Sequence, residues 1–380
     1  MINADVFGEK VNYKKYINQN KSLNVYNWGE YISDGSDGSV AVNKEFNKLT
    51  GIKINYSTFA SNEELYAKLR KESASYDIII PSDYMISRMI KEGMLEKLSL
   101  NKLPNYKNIK DEFKNLEYDI NNEYSVPYMW GMVGIIYNKA KISDKINSWE
   151  DLWNKKYKGK ILMFSNARDC FGITLKKLGY SINTVDENEI LEASKEIFRQ
   201  KELVQAYVMD EIFNKMENEE AYIAPYYSGD AITMIKENNN LGFIYPKEGT
   251  NRFIDAMCIP KGAKNKDEAY LYINYLLEPK IALSNAKYVG YSTPNEKAYE
   301  MLSENEKKNK IIYPNKDILE NTENFIYLPK NINELMDFEW TKIMSVNNMD
   351  NKWMIPIFLI FGLISSISIN IFRVIKRIKK

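Results

Sequence analysis

Apolar positions along this chain fall into short runs that alternate with longer helical patterns. "SLNVYNW" (22–28) alternates through Leu23 and Val25 and predicts a strand, as does "GIKINYSTF". "SNEELYAKLRKE" follows, with Ser61 and Glu64 spaced as a capping box at a helix start. "YDIII" (76–80) is a fully apolar strand pattern running into "PSDYMISRMIKEGM", and "YSVPYMWGMVGIIYNK" is a long strand-rich stretch with Gly131 and Gly134 inside it. "SWEDLW" opens another capped helix. "GKILMFSNARDCFGITLKKLGY" and "AYIAPYYSGDAITMIKE" each read as strand, turn, helix. "LGFIYPKEGTNRFIDAMCIPKG" reads as two strands around a turn, and "NKDEAYLYINYLLEP" as an amphipathic helix. Strands and helices in alternation predict an α/β fold. No internal repeat or low-complexity linker interrupts them.

The pattern changes at the end. "WMIPIFLIFGLISSISINIF" (353–372) carries no charge, and about 20 apolar residues suffice to cross a hydrocarbon core. "RVIKRIKK" follows. Basic flanks stay cytoplasmic, so the expectation is one transmembrane helix over 353–372, a basic cytoplasmic tail over 373–380 and the large domain outside. The polar run ending at 352 would be the tether (346–352). "MINADVFGEKVNYKK" has no apolar run of the signal-peptide kind. Export of the large domain would then need a preceding or fused segment, or the topology is a different one.

Composition narrows the chemistry. A length of 380 residues predicts two domains. Lys and Arg (52) balance Asp and Glu (51), which gives no basic face for nucleic acid. Histidine is absent, which removes the commonest general base and zinc ligand and excludes Ser-His-Asp, Cys-His and histidine–metal chemistry. Cys170 and Cys258 match no metal spacing and read as idle, buried thiols. No cofactor or metal is expected.

Residues hard to explain by packing share one location. "YNWGEY" follows a strand. "PSDY" (Ser82, Asp83, Tyr84) and "SNARD" (Asn166, Asp169) each follow a strand and open a helix; "YYSGD" (Tyr226, Tyr227) ends a strand; "RFID" (Phe253, Asp255) lies within one. Ligands of open α/β sheets bind at the carboxyl ends of strands. Carboxylates set among aromatic faces suit a cation with hydrocarbon attached: an aromatic face attracts a cation by about 0.5–2 kcal/mol, and each buried CH₂ adds about 0.8 kcal/mol. Taken singly, each has an ordinary alternative. Trp28 and Tyr31 could be core, Ser82 and Asp83 helix caps, and Asp255 a paired surface acid. Together they indicate a ligand-binding α/β protein, with a cation as one candidate ligand.

The blocks "NVYNWGEY", "TGIKINYSTFASNEELYAKL", "YDIIIPSDYMISRMIKEGM", "NSWEDLWNKKYKGKILM", "LKKLGYSINT", "YPKEGTNRFIDAMCIPKGAKNKDEA" and "GYSTPNEKA", in order from about residue 22 to 345, resemble the spermidine/putrescine-binding proteins of polyamine ABC importers. The resemblance implies a two-lobed periplasmic-binding-protein fold with hinge strands and the ligand between the lobes. One lobe would comprise 22–128 and 255–300, the other 129–254 and 301–345, with 1–21 a lead segment. It implies a polyamine site of Trp28, Glu30, Tyr31, Ser82, Tyr84, Asn166, Asp169, Tyr227, Phe253, Asp255 and Tyr291, with aromatic walls and carboxylate countercharges. It also implies permease and ATPase partners for an extracytoplasmic domain that does no chemistry, which the 353–372 segment would hold to the membrane. The pattern departs at several positions. Asn166 stands where the best-known relative has a carboxylate, Asp169 is shorter than the usual Glu, and Tyr227 and Phe253 replace tryptophans. Gly29 replaces a hydroxyl residue, and a last polar contact near "TENF" (322–325) has no clear match.

Other readings remain beside this one: a receptor for a different cationic or small solute, a sensory or adhesive surface protein, and an extracellular enzyme using Asp169 and Asp255 as a carboxylate pair. The last lacks an extended sugar-binding pattern around the pair.

Overall fold

The computed structural model describes residues 11–72 and 75–346. Ten strands form the framework: β1 (Ser22–Trp28), β2 (Lys53–Phe59), β3 (Ile78–Ile79), β4 (Ser125–Asn138), β5 (Ile161–Phe164), β6 (Val204–Val208), β7 (Ile223–Tyr227), β8 (Leu241–Ile244), β9 (Thr250–Cys258) and β10 (Thr322–Glu323). They join in the order β2-β1-β3-β9-β4-β7-β5-β6, with β10 beside β9 and β8 beside β4.

Apolar side chains gather into two cores. One is built from Tyr13 to Met132 and from Ile254 to Tyr291, the other from Val133 to Leu241 and from Leu328 to Ile343. The long strand β4 runs through both, and β9, paired antiparallel with it, adds Ile254, Ala256, Met257 and Cys258 to the first. β4 is buried along almost its whole length, which explains its unbroken apolar sequence: neither face meets water. Tyr13 and Tyr16 of the lead segment belong to the first core, and Tyr13 donates its phenol to Glu278 (3.1 Å).

Several local expectations meet tertiary constraints. In "YDIII" only Ile78 and Ile79 are strand. Asp77 is buried and spends its carboxylate on the backbone N–H groups of Asn24 (2.9 Å) and Asn265 (3.0 Å), fastening two neighbouring segments. The helix Lys266–Leu276 is buried on all sides from Glu268 onward, so it is a core helix and not an amphipathic one. "SWEDLW" makes a short 3₁₀ helix (Trp149–Trp153) with a reciprocal Ser148–Asp151 capping box. At Ser61 half of the expected box forms: Glu64 N–H donates to Ser61 Oγ (3.1 Å), while the Glu64 carboxylate accepts from Ala60 N–H (2.8 Å). Cys170 and Cys258 are buried and unpaired, one in each core.

The expected fold class needs a correction. Among the described residues no helix is long and apolar enough to cross a membrane. The last described helix, Lys330–Ser345, packs Ile332, Met336 and Ile343 into the second core, buries Glu339 against Ser194 and turns its other charged residues outward. The membrane helix expected at 353–372 lies outside the described residues, as do the basic tail and nearly all of the tether. The architecture is therefore two α/β lobes joined by shared strands, and attachment through a C-terminal membrane helix has no support in it.

Candidate functional site

β1 and β3 run parallel, as do β5 and β7. The chain past their carboxyl ends supplies Glu30, Tyr31 and Ser82 on one side, and Asn166 and Asp169 on the other, with Trp28 and Tyr227 as the last residues of β1 and β7. Between them lies β9, where alternation along the strand puts Phe253 and Asp255 on one face.

Asp255 is buried (3% exposed) and lies opposite Met129, directly after an irregularity that leaves Tyr128 unpaired in β4. The Tyr31 phenol donates to Asp255 Oδ2 (2.7 Å) and the Ser82 hydroxyl to Oδ1 (2.7 Å). The unpaired Tyr128 donates its own phenol to the Tyr31 carbonyl (2.8 Å), which fixes that turn. From Tyr31 the rings continue edge to face: Tyr291 at 5.5 Å, Phe253 at 5.8 Å from Tyr291, and Tyr227 at 5.4 Å from Phe253. Tyr227 then donates to Asp169 Oδ2 (2.8 Å). Seven of the expected residues, Tyr31, Ser82, Asp169, Tyr227, Phe253, Asp255 and Tyr291, thus form one connected string from the first lobe to the second.

The other four sit differently. Trp28 is half-buried against Phe59 (4.5 Å), and its indole N–H is buried without a partner. Glu30 is exposed in a left-handed backbone conformation (φ 49°). Tyr84 donates to Glu63 (3.0 Å) and lies 6.1 Å from Phe325. Asn166 caps the helix Ala167–Leu178, its oxygen accepting from Asp169 N–H (3.3 Å), so it stands beside Asp169 as a cap.

Sequence reasoning passed over Asp230. It lies in the first turn of the helix that follows Tyr227, and Tyr291 donates to its Oδ2 (3.0 Å) across the lobes. The signal was present in "YYSGD", where the acid stands three positions past Tyr227 and hence one helical turn away. Asp83 and Asn324 form a second polar contact across the lobes (3.2 Å), with Asn324 also taking an Arg252 N–H (3.1 Å). This falls inside "TENF".

Burial dominates the electrostatics. It raises the Asp255 carboxyl to about 6 against the lowering effect of the Tyr31 and Ser82 hydrogen bonds. Burial likewise raises Asp169 to about 6, eased by Tyr227, and Asp230 to about 7, eased by Tyr291 and reinforced by the nearby charges of Asp210 and Glu30. Asp83 is raised to about 7 for the same reason. The side-chain hydrogen bonds that hold Asp255, Asp169 and Asp230 come from hydroxyls, and no Lys or Arg among the described residues forms an ion pair with any of them. Unpaired buried carboxylates are costly, and an incoming cation relieves that cost.

Residues 41–352 match the family described as bacterial extracellular solute-binding protein. The chain belongs to this family. Its members bind solutes and are not enzymes. The chain is 37% identical over 310 residues to the spermidine/putrescine-binding periplasmic protein of Escherichia coli, covering 81% of this chain and 87% of that one. It is 32% identical to a putrescine-binding periplasmic protein of Pseudomonas aeruginosa, covering 86% of this chain and 92% of the relative. Among solved structures, the spermidine/putrescine ABC transporter substrate-binding protein of Streptococcus pneumoniae superposes with a TM-score of 0.75. It is 37% identical, covering 85% of this chain and 98% of that chain.

Proposed function

We propose that this solute-binding protein is the receptor of a polyamine ABC importer, taking spermidine or putrescine into the cleft between its lobes and delivering it to a permease and ATPase. The observation that carries this is a set of carboxylates, the buried Asp169 and Asp255 and the half-buried Asp230, bonded to hydroxyls and embedded in the rings of Tyr31, Tyr227, Phe253 and Tyr291. An ammonium 4 Å from a carboxylate gains about 4 kcal/mol at an effective dielectric of 20, before desolvation. The rings take the methylenes between ammonium groups. A sugar or neutral amino acid would leave several buried carboxylates uncompensated. The names of the relatives support the same ligand class.

Rings and hydroxyls from both lobes touch one another, so ligand entry requires the lobes to part and ligand contacts to both sides favour closing. The moving units are 22–128 with 255–300 and 129–254 with 301–345. Glu30, exposed at the turn after β1, meets an outer ammonium, Trp28 and Tyr84 wall the cleft, and Asn166 holds the turn that presents Asp169. A thermal-shift screen of spermidine, putrescine, sugars and amino acids tests the reading. Stabilisation by polyamines alone supports it; stabilisation by a neutral solute with none by polyamines rejects it.

A further inference from the structure

Ser82 occupies the cap position of the helix Asp83–Lys91, yet its hydroxyl makes no capping bond. That hydroxyl goes to Asp255 Oδ1, and the reason lies one layer behind it, in Asn62. Asn62 is buried (4% exposed) and meets Ser82 twice: Ser82 N–H donates to Asn62 Oδ1 (3.1 Å), and Asn62 Nδ2 donates to Ser82 Oγ (3.1 Å). The backbone N–H can only donate, so it fixes which end of the Asn62 amide is oxygen. The amide nitrogen must then face Ser82 Oγ. Since Oγ is already receiving a hydrogen there, its single proton is directed to Asp255. Asn62 is not needed as a cap for its own helix, because Ser61 Oγ already accepts from Glu64 N–H.

We infer that Asn62 is a positioning residue of the binding site: without touching the ligand, it sets the direction of the Ser82 proton and thereby keeps the central carboxylate, Asp255, in its ionised, cation-accepting form. Sequence spacing alone hides this role, since Asn62 sits at the start of the helix Asn62–Glu72 and reads as an ordinary helix-start residue. The groups around Asp255 that carry or can carry charge are Tyr31, which donates to it, and Asp83, which feels the charge of Asp255. Neither contacts Asn62 in a way that could substitute for the Ser82 link.

The test follows the ionisation midpoint of Asp255 by carboxyl ¹³C NMR in ligand-free protein, in parallel with spermidine affinity. The affinity arm rests on the polyamine reading. The NMR arm does not, so a wild-type protein that ignores spermidine would sink that reading and leave this inference to be judged by the midpoint. Asn62→Ala and Asn62→Val, neither of which has a side-chain donor or acceptor, should raise the midpoint as Ser82→Ala does. Each should weaken spermidine binding about tenfold, in line with a disturbed hydrogen bond to a charged group. In a Ser82→Ala background the Asn62→Ala effect should vanish, because the proton being directed is gone. An Asn62→Ala effect that persists in full in that background, or an Asp255 midpoint unmoved by the Asn62 changes, overturns the inference. Should both Asn62 variants fail to fold, Ser82→Ala alone decides: an unmoved midpoint in that variant contradicts the relay at its second step, and a raised one supports it.

Discussion

Tyr31 and Asp255, 224 positions apart in sequence, are joined by a 2.7 Å hydrogen bond in which the phenol donates to Oδ2. With Ser82 on the other oxygen, the carboxylate is held by two hydroxyls and still carries a charge that the protein itself does not neutralise. Asp255→Asn keeps the shape and removes that charge. Polyamine binding should weaken by about 2–5 kcal/mol, the range for truncating one partner of a buried charge pair. Glu30→Gln should cost less, because Glu30 is exposed and water screens it. Paired titrations at matched ionic strength check this. An Asp255→Asn variant within threefold of wild type, beside a strongly impaired Glu30→Gln, would show that the central countercharge lies elsewhere.

The same burial makes stability depend on pH. A carboxyl raised in the folded protein holds its proton more tightly folded than unfolded, so between the two values the folded state carries more protons and stability falls as pH rises. For Asp255 and Asp169 that window runs from the ordinary 3.8 up to about 6, and for Asp230 and Asp83 up to about 7. Asp255→Asn should flatten the fall between pH 4 and about 6 in ligand-free protein. A polyamine prefers the ionised carboxylates, so the rise in melting temperature produced by spermidine should be larger at neutral pH than at pH 5. Calorimetric scans at both pH values decide it, and equal shifts would contradict the assignment of these carboxylates to the site.

How much of this was legible in the chain depended on the range of the interactions. The placement of Trp28, Ser82, Asn166 and Tyr227 at strand ends followed from alternation and turn residues, because those are local features. The buried helix Lys266–Leu276 was not legible as such, since periodicity reports one apolar face and cannot see a second layer closing over the other. Asp230 and Asn62 were missed for a related reason. Each sits in the first turn of a helix, where acids and amides are ordinary, and only the fold brings Tyr291 to the one and Ser82 to the other.

Trp28 offers a test of the cleft wall. Its ring lies on Phe59, so Trp28→Phe should retain most of the packing and the melting temperature, whereas Trp28→Ala should lose some of both. Polyamine affinity should fall by about 1–3 kcal/mol in Trp28→Ala through lost apolar and cation–π contact. Unchanged affinity in a folded Trp28→Ala protein would assign the indole to packing alone.

Glycines carry the aromatic string. A Cβ at Gly229 would lie 2.4 Å from the Tyr291 ring, and one at Gly131 would lie 2.7 Å from Phe253 and 2.9 Å from Tyr291. Glycine to alanine inside a helix normally stabilises by about 1 kcal/mol. Gly229 is in the helix Ser228–Glu237, yet Gly229→Ala should destabilise by about 1–3 kcal/mol, because the rigid ring must move. Denaturant titration gives the sign directly, and a stabilised Gly229→Ala would mean that Tyr291 is free to shift.

The central claim, that the carboxylate-and-ring cleft is a polyamine site, is tested most directly by isothermal titration of residues 11–346 with spermidine and with putrescine. The account predicts saturable binding of at least one of them, one ligand per chain, at about micromolar affinity, near −8 kcal/mol, and loss of that binding in Asp255→Asn. A folded protein that gives no binding heat with either ligand at more than one temperature would contradict it.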